Sequence, residues 1–525
     1  MQSDLKLLDC TLRDGGYIND WRWGFQAARV IIQTLVKANI DIIEAGFLRN
    51  IEKYDPDITV CNHIEELNRL LPADHGKSIF SAMAMRSNYD INKLSPYSGK
   101  GIELIRITAH DYDIKEGMDF ARAVQDKGYK LSINPINIMG YSDDKILWLI
   151  DQVNQIQAWQ FSIVDTFGSM KRRDLDRIVS LADHNLDKNI RLALHLHENM
   201  SLSCSLAQTF HDKHLTRPTT IDASLMGMGR VPGNLPIELI ADYLNEYSGR
   251  SYDIDYLMDA IEEYISPIKK HSEWGYMPAY FLSARFNLHR NYSEYYLTKG
   301  DLTNRDINHI LARFDDSKKT AFDAAYAERL YEEYKDNRID DSSDREKLTH
   351  AFRGRKILIL APGSTIVTHR QAVNDYIARE KPVIISVNFL PEDFPVDYAF
   401  FSNNKRFDIV DNFNAKIIIT SNLSGVSNAE RAAFMLDYNS LTGAFTEWCN
   451  GFIMLLQFLK SIGITNPAAA GADGFSDSES DYFSSAFRTK LTKYSKFNAD
   501  AIEAMRSLEV YPNFITPSAY NVMQE

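Results

Sequence analysis

The chain has 525 residues and a formal net charge of −13. Its length predicts two or three domains, its charge argues against a general nucleic-acid-binding protein, and its four scattered cysteines argue against a disulfide framework or a thiolate zinc site. No apolar run approaches the length that spans a bilayer, and the N-terminus lacks the basic and apolar segments of a signal peptide, so we expect a cytoplasmic protein without a membrane partner.

Apolar runs alternate with helical patterns over residues 1–250. The helical patterns include residues 25–39, 118–128 and 144–156. Strands that alternate with helices indicate βαβ units and a parallel sheet, and about 250 residues is the usual size of a (β/α)8 TIM barrel. A doubly wound sheet is the alternative, but the even spacing and the lack of a Gly-rich dinucleotide loop favour the barrel. The predicted strands are LKLLD (5–9), IDIIEAGF (40–47), SIFSAMA (78–84), IELIRITA (102–109), YKLSINPIN (129–137), WQFSIVDT (159–166), IRLALHLH (190–197) and TTIDASL (219–225).

Residues 251–340 have the character of a helical extension that is rich in tyrosine. Helices are predicted at 256–265, 276–297 and 305–314, and because aromatic residues are enriched at interfaces, we expect them to form a homodimer. The polar and charged stretch at 336–347 is typical of a linker. A second α/β rhythm follows, with strands at 356–360, 382–388, 396–402 and 415–421 and a long helix around 446–463. This pattern predicts a smaller Rossmann-like α/β domain over 352–525.

Polar side chains gather at the carboxyl ends of the predicted barrel strands, whereas the strand interiors stay apolar. The active site of a TIM barrel lies at that end, so the pattern predicts a catalytic cavity. The residues concerned are Arg13, Asp14, Glu44, Arg106, Thr108, His110, Asn134, Asp165, Thr166, His195, His197, Asn199 and Asn234.

His195 and His197 form the most specific pair. Residues i and i+2 of a strand face the same way, so both imidazoles should point into the barrel mouth. Two imidazoles and one carboxylate, which Asp14 can supply from the first strand, suit a divalent metal ion. The alternative is two histidines that are hydrogen-bonded in a polar core.

Five motifs resemble the superfamily of metal-dependent aldolases, lyases and Claisen synthases. The motifs stand in the order LLDCTLRDGGY (7–17), IEAGF (43–47), VDTFGSM (164–170), HLHENMSLS (195–203) and DASLMGMGRVPGN (222–234). The histidine motif and WGYMPAYFL (274–282) resemble the 4-hydroxy-2-oxovalerate aldolase branch. The resemblance covers about residues 4–250 and implies that Asp14, His195 and His197 bind Mn²⁺ or Mg²⁺. It also implies that Asn234 is a further ligand, as in the lyase branch, and that Arg13 stabilises an enolate.

Tyr17 departs from the family pattern, which usually has His or Gln at this position. In the aldolase branch that His is the catalytic acid/base, so the base here stays open between Tyr17, His110 and a metal-bound water. Glu44 and Thr166 are further predicted catalytic residues, and Asn134 is predicted to bind substrate. Arg230 is predicted to meet a substrate carboxylate or phosphate. Gly15 and Gly16 are expected to let the backbone turn closely past a ligand.

The loop after the first strand of the second domain contains Gly363, Ser364 and Thr365. Backbone N–H groups at this position predict a phosphate site at a helix N-terminus, and a plain tight turn is the alternative. The domain resembles Rossmann-like domains of the pterin-pyrophosphokinase and sialyltransferase-like group. That resemblance implies a nucleotide-linked or phosphorylated ligand.

The leading interpretation is a metal-dependent carbon–carbon lyase or aldolase. Its substrates would be a 2-oxo acid, with a pyruvate-type enolate as donor, and an aldehyde or sugar-like acceptor. A Claisen-type enzyme that condenses an acyl-CoA is the first alternative. The second alternative is a non-catalytic binding or regulatory protein on a retired barrel, which only the substitution at Tyr17 favours.

Overall fold

The computed structural model describes residues 4–300, 302–336, 338–408, 410, 414–424, 429–442, 450–475 and 494–521. The chain divides into two compact units, Met1–Ala327 and Glu328–Glu525. Cys449 and residues 446–449 of the predicted long helix lie outside the described residues. Within the described part of the chain, no helix combines the length and apolar character needed to cross a membrane.

Eight parallel strands form the closed barrel of the first unit. Each strand pairs with the next one along the chain, and the pairing of the last strand with the first closes the barrel. The strands are buried along nearly their whole length, as expected for a parallel sheet covered by helices, so the predicted TIM barrel is confirmed. The strands are β1 (Leu5–Asp9), β2 (Ile42–Leu48), β3 (Ile79–Met85), β4 (Leu104–Ala109), β5 (Lys130–Pro135), β6 (Gln160–Val164), β7 (Arg191–His195) and β8 (Thr219–Ala223).

Amphipathic helices cover the outside of the barrel. The first of them buries Ala28, Ile31, Ile32 and Leu35, the spacing of one helix face. The connection between β3 and β4 has two short 3₁₀ turns, Arg86–Asn88 and Ile91–Lys93, in place of an α-helix. The helices are α1 (Phe25–Lys37), α2 (Ile64–Asn68), α3 (Ile114–Asp126), α4 (Asp143–Gln155), α5 (Arg172–Asn185), α6 (Ser203–His211) and α7 (Ile237–Ser248).

The helices that follow the barrel belong largely to the same unit. The single helix predicted over 276–297 is two helices, because Asn287 adopts a left-handed conformation with φ 54°. Tyr280, Tyr292 and Tyr296 are buried inside this unit, so these three tyrosines belong to its core, and the expected homodimer stays a prediction. The helices are α8 (Ile254–Ala260), which continues through a π turn into α9 (Ser266–Lys269), then α10 (Pro278–Arg285), α11 (Asn291–Thr298), α12 (Asn304–Leu311) and α13 (Ala324–Lys335).

Within the described residues, the second unit contains a parallel sheet of seven strands, in agreement with the predicted α/β domain. Its strands are β9 (Ile357–Leu360), β10 (Val383–Val387), β11 (Tyr398–Phe401), β12 (Lys416–Thr420), β13 (Phe434–Leu436), β14 (Ala468–Ala470) and β15 (Asn513–Phe514). They lie in the order β13-β12-β11-β10-β9-β14-β15, so the winding direction reverses between β9 and β14. The longer helices are α14 (Ser342–Phe352), α15 (Arg370–Glu380), α16 (Gly451–Ser461) and α17 (Tyr494–Leu508).

Helix α14 occupies half of the stretch predicted as a linker. The charged residues of its first turns have the composition of a linker, but Leu348 and Phe352 near its end are fully buried in the core of the second unit. Of the described residues in this stretch, only those before Ser342 match the prediction of an exposed connection.

Candidate active site

One cavity at the carboxyl ends of the barrel strands brings most of the predicted site residues together. Glu44 lies beneath it, where its carboxylate contacts Arg13, and Asn234 lies beside it, in a β-bridge with His197. The predicted residues that line the cavity are Arg13, Asp14, Tyr17, Arg106, Thr108, His110, Asn134, Thr166, His195, His197 and Arg230.

The potential ligand atoms of Asp14, His195 and His197 all lie within 4.8 Å of one another. Asp14 Oδ2 is 3.6 Å from His195 Nε2 and 3.8 Å from His197 Nε2. This carboxylate oxygen is buried and has no hydrogen-bond partner among the described residues. Two imidazole nitrogens and a carboxylate oxygen around a common point form a donor set for a divalent metal ion. The residues therefore fit the predicted ion.

Both imidazoles are held with Nε2 toward that point. His195 Nδ1 donates to Asp222 Oδ2 at 3.2 Å, and His197 Nδ1 donates to the carbonyl oxygen of Asp165 at 2.9 Å. Because both acceptors require an N–H at Nδ1, each Nε2 keeps its lone pair for a ligand. The sequence analysis did not predict Asp222 as a site residue. Asp222 lies opposite His195 in the register of β7 and β8, so an alignment of these two predicted strands could have identified it.

The electrostatics of the three residues follow from burial and their neighbours. Burial alone would raise the pKa of Asp14, but the Arg13 guanidinium and the two imidazoles hold it well below its usual value. Burial would lower the pKa of His195, but the nearby Asp14 carboxylate and the hydrogen bond to Asp222 raise it. Burial and the neighbouring His195 lower the pKa of His197 to about 4, which favours the neutral form that binds metals.

Arg13 is fixed beside the metal site by carboxylates. Its Nη1 donates to Asp14 Oδ1 at 2.7 Å and its Nε donates to Glu44 Oε2 at 2.8 Å. The same Glu44 oxygen accepts from Arg106 Nη1 at 3.0 Å, and Arg106 also donates to Asp222 and Asn134. This buried network joins Arg13 to the carboxylate that orients His195. Glu44 and Asn134 therefore position the arginines in the structure.

The chain reaches Asp14 through a helical turn, Thr11–Gly15, that starts directly after β1. Asp9 accepts hydrogen bonds from the backbone and the side chain of Thr11, which stabilises the turn. Gly16 has an ordinary helical φ of −57°, and a Cβ there would lie 2.1 Å from the Trp21 ring. The expectation of a backbone turn past a ligand was therefore wrong for Gly16, which makes room for an indole that donates to the carbonyl oxygen of Arg13.

Asn234 is buried next to the metal site. Its Nδ2 donates to the carbonyl oxygen of Met228 at 3.3 Å, while its Oδ1 is buried without a donor among the described residues. An unpaired buried amide oxygen is a suitable cation ligand, so its role as a further ligand stays a prediction that this chemistry fits.

The outer part of the cavity carries the remaining predicted residues. Tyr17 is half-buried, and its hydroxyl lies 3.5 Å from Arg49 Nη2. His110 stacks on Tyr112, and burial lowers its pKa. The Thr166 hydroxyl accepts the backbone N–H of Asn137 at 2.7 Å.

Arg230 and His289 close this outer part from the other side. Arg230 Nη2 lies 3.3 Å from His289 Nε2, and its guanidinium lies 5.6 Å from the centre of the Tyr17 ring. His289 lies between α10 and α11 and was missed by the sequence analysis. No strand-end pattern marks it, because it reaches the barrel from the helical extension.

The loop predicted to bind phosphate in the second unit already surrounds an anion of the protein. The backbone N–H of Thr365 donates to Asp473 Oδ2 at 2.9 Å, and the Ser364 hydroxyl donates to the same oxygen at 3.3 Å. A Cβ on Gly363 would lie 2.3 Å from the carboxylate carbon of Asp473. Asp473 thus takes the position that the prediction gave to a phosphate.

The first unit matches a protein-family model described as HMGL-like over residues 4–261. The chain is 25% identical over 260 residues to an oxaloacetate decarboxylase of Mycobacterium tuberculosis, covering 48% of this chain and 74% of that protein. It is 22% identical over 275 residues to a 4-hydroxy-2-oxovalerate aldolase of Geobacillus genomosp. 3, covering 50% and 77%.

Among solved structures, the chain is similar to hydroxymethylglutaryl-CoA lyase of Pseudomonas aeruginosa. The identity is 16% and the TM-score 0.41, with 52% of this chain and 94% of that chain covered. With the barrel and the Asp-His-His cluster described above, the family match identifies the first unit: residues 4–261 belong to the HMGL-like family of divalent-metal-dependent aldolases, lyases and related condensing enzymes.

Proposed function

We propose that the chain is a carbon–carbon lyase or aldolase that uses Mn²⁺ or Mg²⁺ and acts on 2-oxo acids through a pyruvate-type enolate, with an aldehyde as the second substrate. The observation that carries the proposal is the position of Arg13. Its guanidinium is bonded to the same carboxylate whose other oxygen faces His195 and His197. A fixed positive charge directly beside a metal site suits a reaction in which negative charge develops on an oxygen.

A divalent ion, when bound, polarises a 2-oxo group as a Lewis acid. Arg13 has its Nε and Nη1 bonded to carboxylates, while its Nη2 forms no hydrogen bond among the described residues. The planar guanidinium can therefore donate to an enolate oxygen without giving up the contacts that hold it. Glu44 and Arg106 keep Arg13 in place, and Asp222 keeps His195 oriented.

The proton carrier is proposed to be Tyr17. Its hydroxyl belongs to the wall of the cavity that contains Arg13 and Asp14, and it stands where the aldolase branch carries its acid/base histidine. His110 and water are the alternatives. Replacement of Tyr17 by phenylalanine should slow exchange of the donor's methyl protons and leave Mn²⁺ affinity unchanged, whereas unchanged exchange would move the role to His110 or water.

The test of the reaction class is exchange of pyruvate methyl protons in D₂O, followed by NMR. We expect exchange with Mn²⁺, none after treatment with EDTA, and none in a double variant with His195→Ala and His197→Ala that keeps its circular dichroism spectrum but binds no Mn²⁺. Exchange that occurs with acetyl-CoA and never with a 2-oxo acid would favour the condensing enzyme. Absence of exchange with every 2-oxo acid and acyl-CoA would favour the non-catalytic binding protein.

A second proposal concerns the second unit, which we infer binds a nucleotide-linked or phosphorylated ligand. The supporting observation is a cleft formed by the loops after β9, β10, β11 and β14, since ligands of open α/β sheets bind where the winding direction reverses. Asn388, Asn403 and Arg406 offer polar groups there. ADP, UDP, CDP or inorganic phosphate should raise the melting temperature, and less so in Arg406→Gln. No shift with any of these probes would contradict the proposal.

A further inference from the structure

The positive charges on the floor of the barrel cavity are fully matched by acids. Arg13 is paired with Asp14 and Glu44, and Arg106 is paired with Glu44 and Asp222. Two arginines thus face three carboxylates before any ion binds. The floor therefore offers little positive charge for a second anion besides the donor substrate.

The mouth of the same cavity differs from the floor in charge. Arg230, after β8, lines the cavity, and Arg49, after β2, lies behind the lining residue Tyr17, with its Nη2 3.5 Å from the Tyr17 hydroxyl. Neither arginine has a carboxylate oxygen within 4.0 Å among the described residues. Arg49 packs its guanidinium over Phe47 at 4.2 Å, and its Nε is buried without a partner in the described structure. A third arginine, Arg290, lies 3.7 Å from the Glu294 carboxylate. The mouth thus carries an excess of guanidinium groups in a chain whose net charge is −13.

Arg230 and His289 present two donors to each other. His289 Nδ1 accepts the backbone N–H of Asn291 at 3.2 Å, so the proton of the neutral imidazole is on Nε2. That Nε2 lies 3.3 Å from Arg230 Nη2. The guanidinium nitrogen is also a hydrogen-bond donor and cannot accept. Two N–H groups that meet without an acceptor between them are costly in a half-buried place. A single anionic oxygen beside them would satisfy both.

His289 stays uncharged in this position. Burial, together with the charges of Arg230 and Arg290, lowers its pKa to about 3. The positive charge of the pair therefore belongs to Arg230, and His289 adds a neutral donor. The pair therefore offers one positive charge and two N–H donors, which suits a ligand with one anionic group.

A small recess connects this pair to the metal site. Its lining includes Arg230, His289, Arg290 and His197, and Arg230, His289 and His197 also line the main cavity with Asp14 and His195. A short bifunctional molecule can therefore place its anionic end at the recess and its carbonyl carbon near the floor. Phe167 lines both the recess and the main cavity, and its ring centre is 5.6 Å from that of His289, so it adds apolar surface beside this pair.

We propose that Arg230 and His289 bind a carboxylate or phosphate of the acceptor, so that the second substrate is an anionic aldehyde. The inference rests on the proposed function, because it specifies the second substrate of that reaction. A neutral aldehyde would leave both donors unpaired, and sites built around buried polar groups reject ligands that lack the partner.

The experiment compares matched aldehydes as acceptors for pyruvate with the Mn²⁺-loaded full chain. One pair is glyceraldehyde and glyceraldehyde 3-phosphate, and the other is butanal and succinic semialdehyde. We expect kcat/KM to favour the anionic member of one pair by at least about 10-fold, and the pair that shows the preference tells phosphate from carboxylate. Arg230→Gln should remove most of this preference, because a hydrogen bond to a charged group contributes about 10- to 100-fold.

Two further variants separate charge from geometry. Arg230→Lys should keep part of the preference, because it keeps the charge without the planar fork. Arg285→Gln makes the same change at an exposed arginine of α10, and its preference should equal that of the unaltered protein. If Arg230→Gln does not fold, His289→Phe removes the other donor and should also reduce the preference.

The outcomes distinguish the inference from the function on which it rests. No metal-dependent exchange of pyruvate methyl protons in the unaltered chain would refute the proposed function. Exchange with equal use of neutral and anionic aldehydes, or with no addition to any anionic aldehyde, would refute the inference alone. A preference that persists in Arg230→Gln, with Mn²⁺ content and circular dichroism preserved, would also refute it.

Discussion

Asp222→Asn tests whether the buried carboxylate behind the metal site sets the affinity for the ion. Asp222 is fully buried, and its Oδ2 accepts from both His195 Nδ1 and Arg106. Asparagine has nearly the same shape, so the change removes the charge without opening a cavity. The amide oxygen can still accept from His195, but it no longer stabilises positive charge on a metal-bound imidazole.

The expected magnitude follows from these contacts. Loss of an outer-shell carboxylate behind a metal-binding histidine costs about 10- to 100-fold in affinity, or about 1.4–2.8 kcal/mol. Breaking a buried ion pair costs about 3–5 kcal/mol of folding stability. Arg106 keeps Glu44 Oε2 at 3.0 Å, so we expect the loss of stability near the lower end of that range.

Titration calorimetry with Mn²⁺ on EDTA-treated protein measures the affinity, and urea unfolding measures the stability. Asp41→Asn is a matched control, because Asp41 Oδ2 also accepts two hydrogen bonds, from Leu7 N at 2.9 Å and from the Tyr252 hydroxyl at 2.6 Å, at the opposite end of the barrel. The control should lose stability and keep its Mn²⁺ affinity. A twofold or smaller change of affinity in Asp222→Asn would refute the positioning role.

The remaining predictions concern charge, pH and chain organisation. Arg13→Lys should keep its Mn²⁺ content but lose about 10²–10³-fold in pyruvate proton exchange; full activity would exclude the enolate role. Burial raises the pKa of Asp9 from its usual 3.8 to about 7, so the free energy of unfolding should fall as the pH rises from about 4 to 7. Asp9→Asn should make this fall less steep when unfolding is measured with urea in the presence of EDTA. An unchanged dependence on pH would contradict the prediction. Trypsin should cut first after Arg338, whose side chain is 76% exposed between α13 and α14, and first cleavage within the barrel would count against this boundary.

The eight barrel strands could be predicted from sequence because each carries its own local signal. A run such as LKLLD is apolar, buried on both faces and followed by polar residues, and the structure places β1 at Leu5–Asp9. The cluster of Asp14, His195 and His197 could be predicted for a related reason. The period of a strand puts both histidines on one side, and closure of the barrel brings β1 next to β8 and so within one strand of β7, which carries His195.

Contacts between distant segments left no such local signal. The pairing of Asp222 with His195 depends on the register of β7 and β8, and His289 reaches the cavity only through the packing of the helices that follow the barrel. Helix α14 was mistaken for a linker because Leu348 and Phe352, its buried residues, stand at its end. Local composition indicates how exposed a segment is, but it does not indicate which part of the chain, far away in sequence, the segment packs against.

The distribution of charge in the barrel explains why two different arginines are needed for the proposed reaction. On the floor, Arg13 and Arg106 face Asp14, Glu44 and Asp222, which leaves one net negative charge when both histidines are neutral. A divalent ion would reverse this to one net positive charge, enough to attract the carboxylate of one 2-oxo acid. Once that acid is bound, the floor has no net charge, so a second anionic substrate needs a positive charge from another part of the cavity. Arg230, unpaired with any acid among the described residues and open to the same cavity, stands where that charge is required.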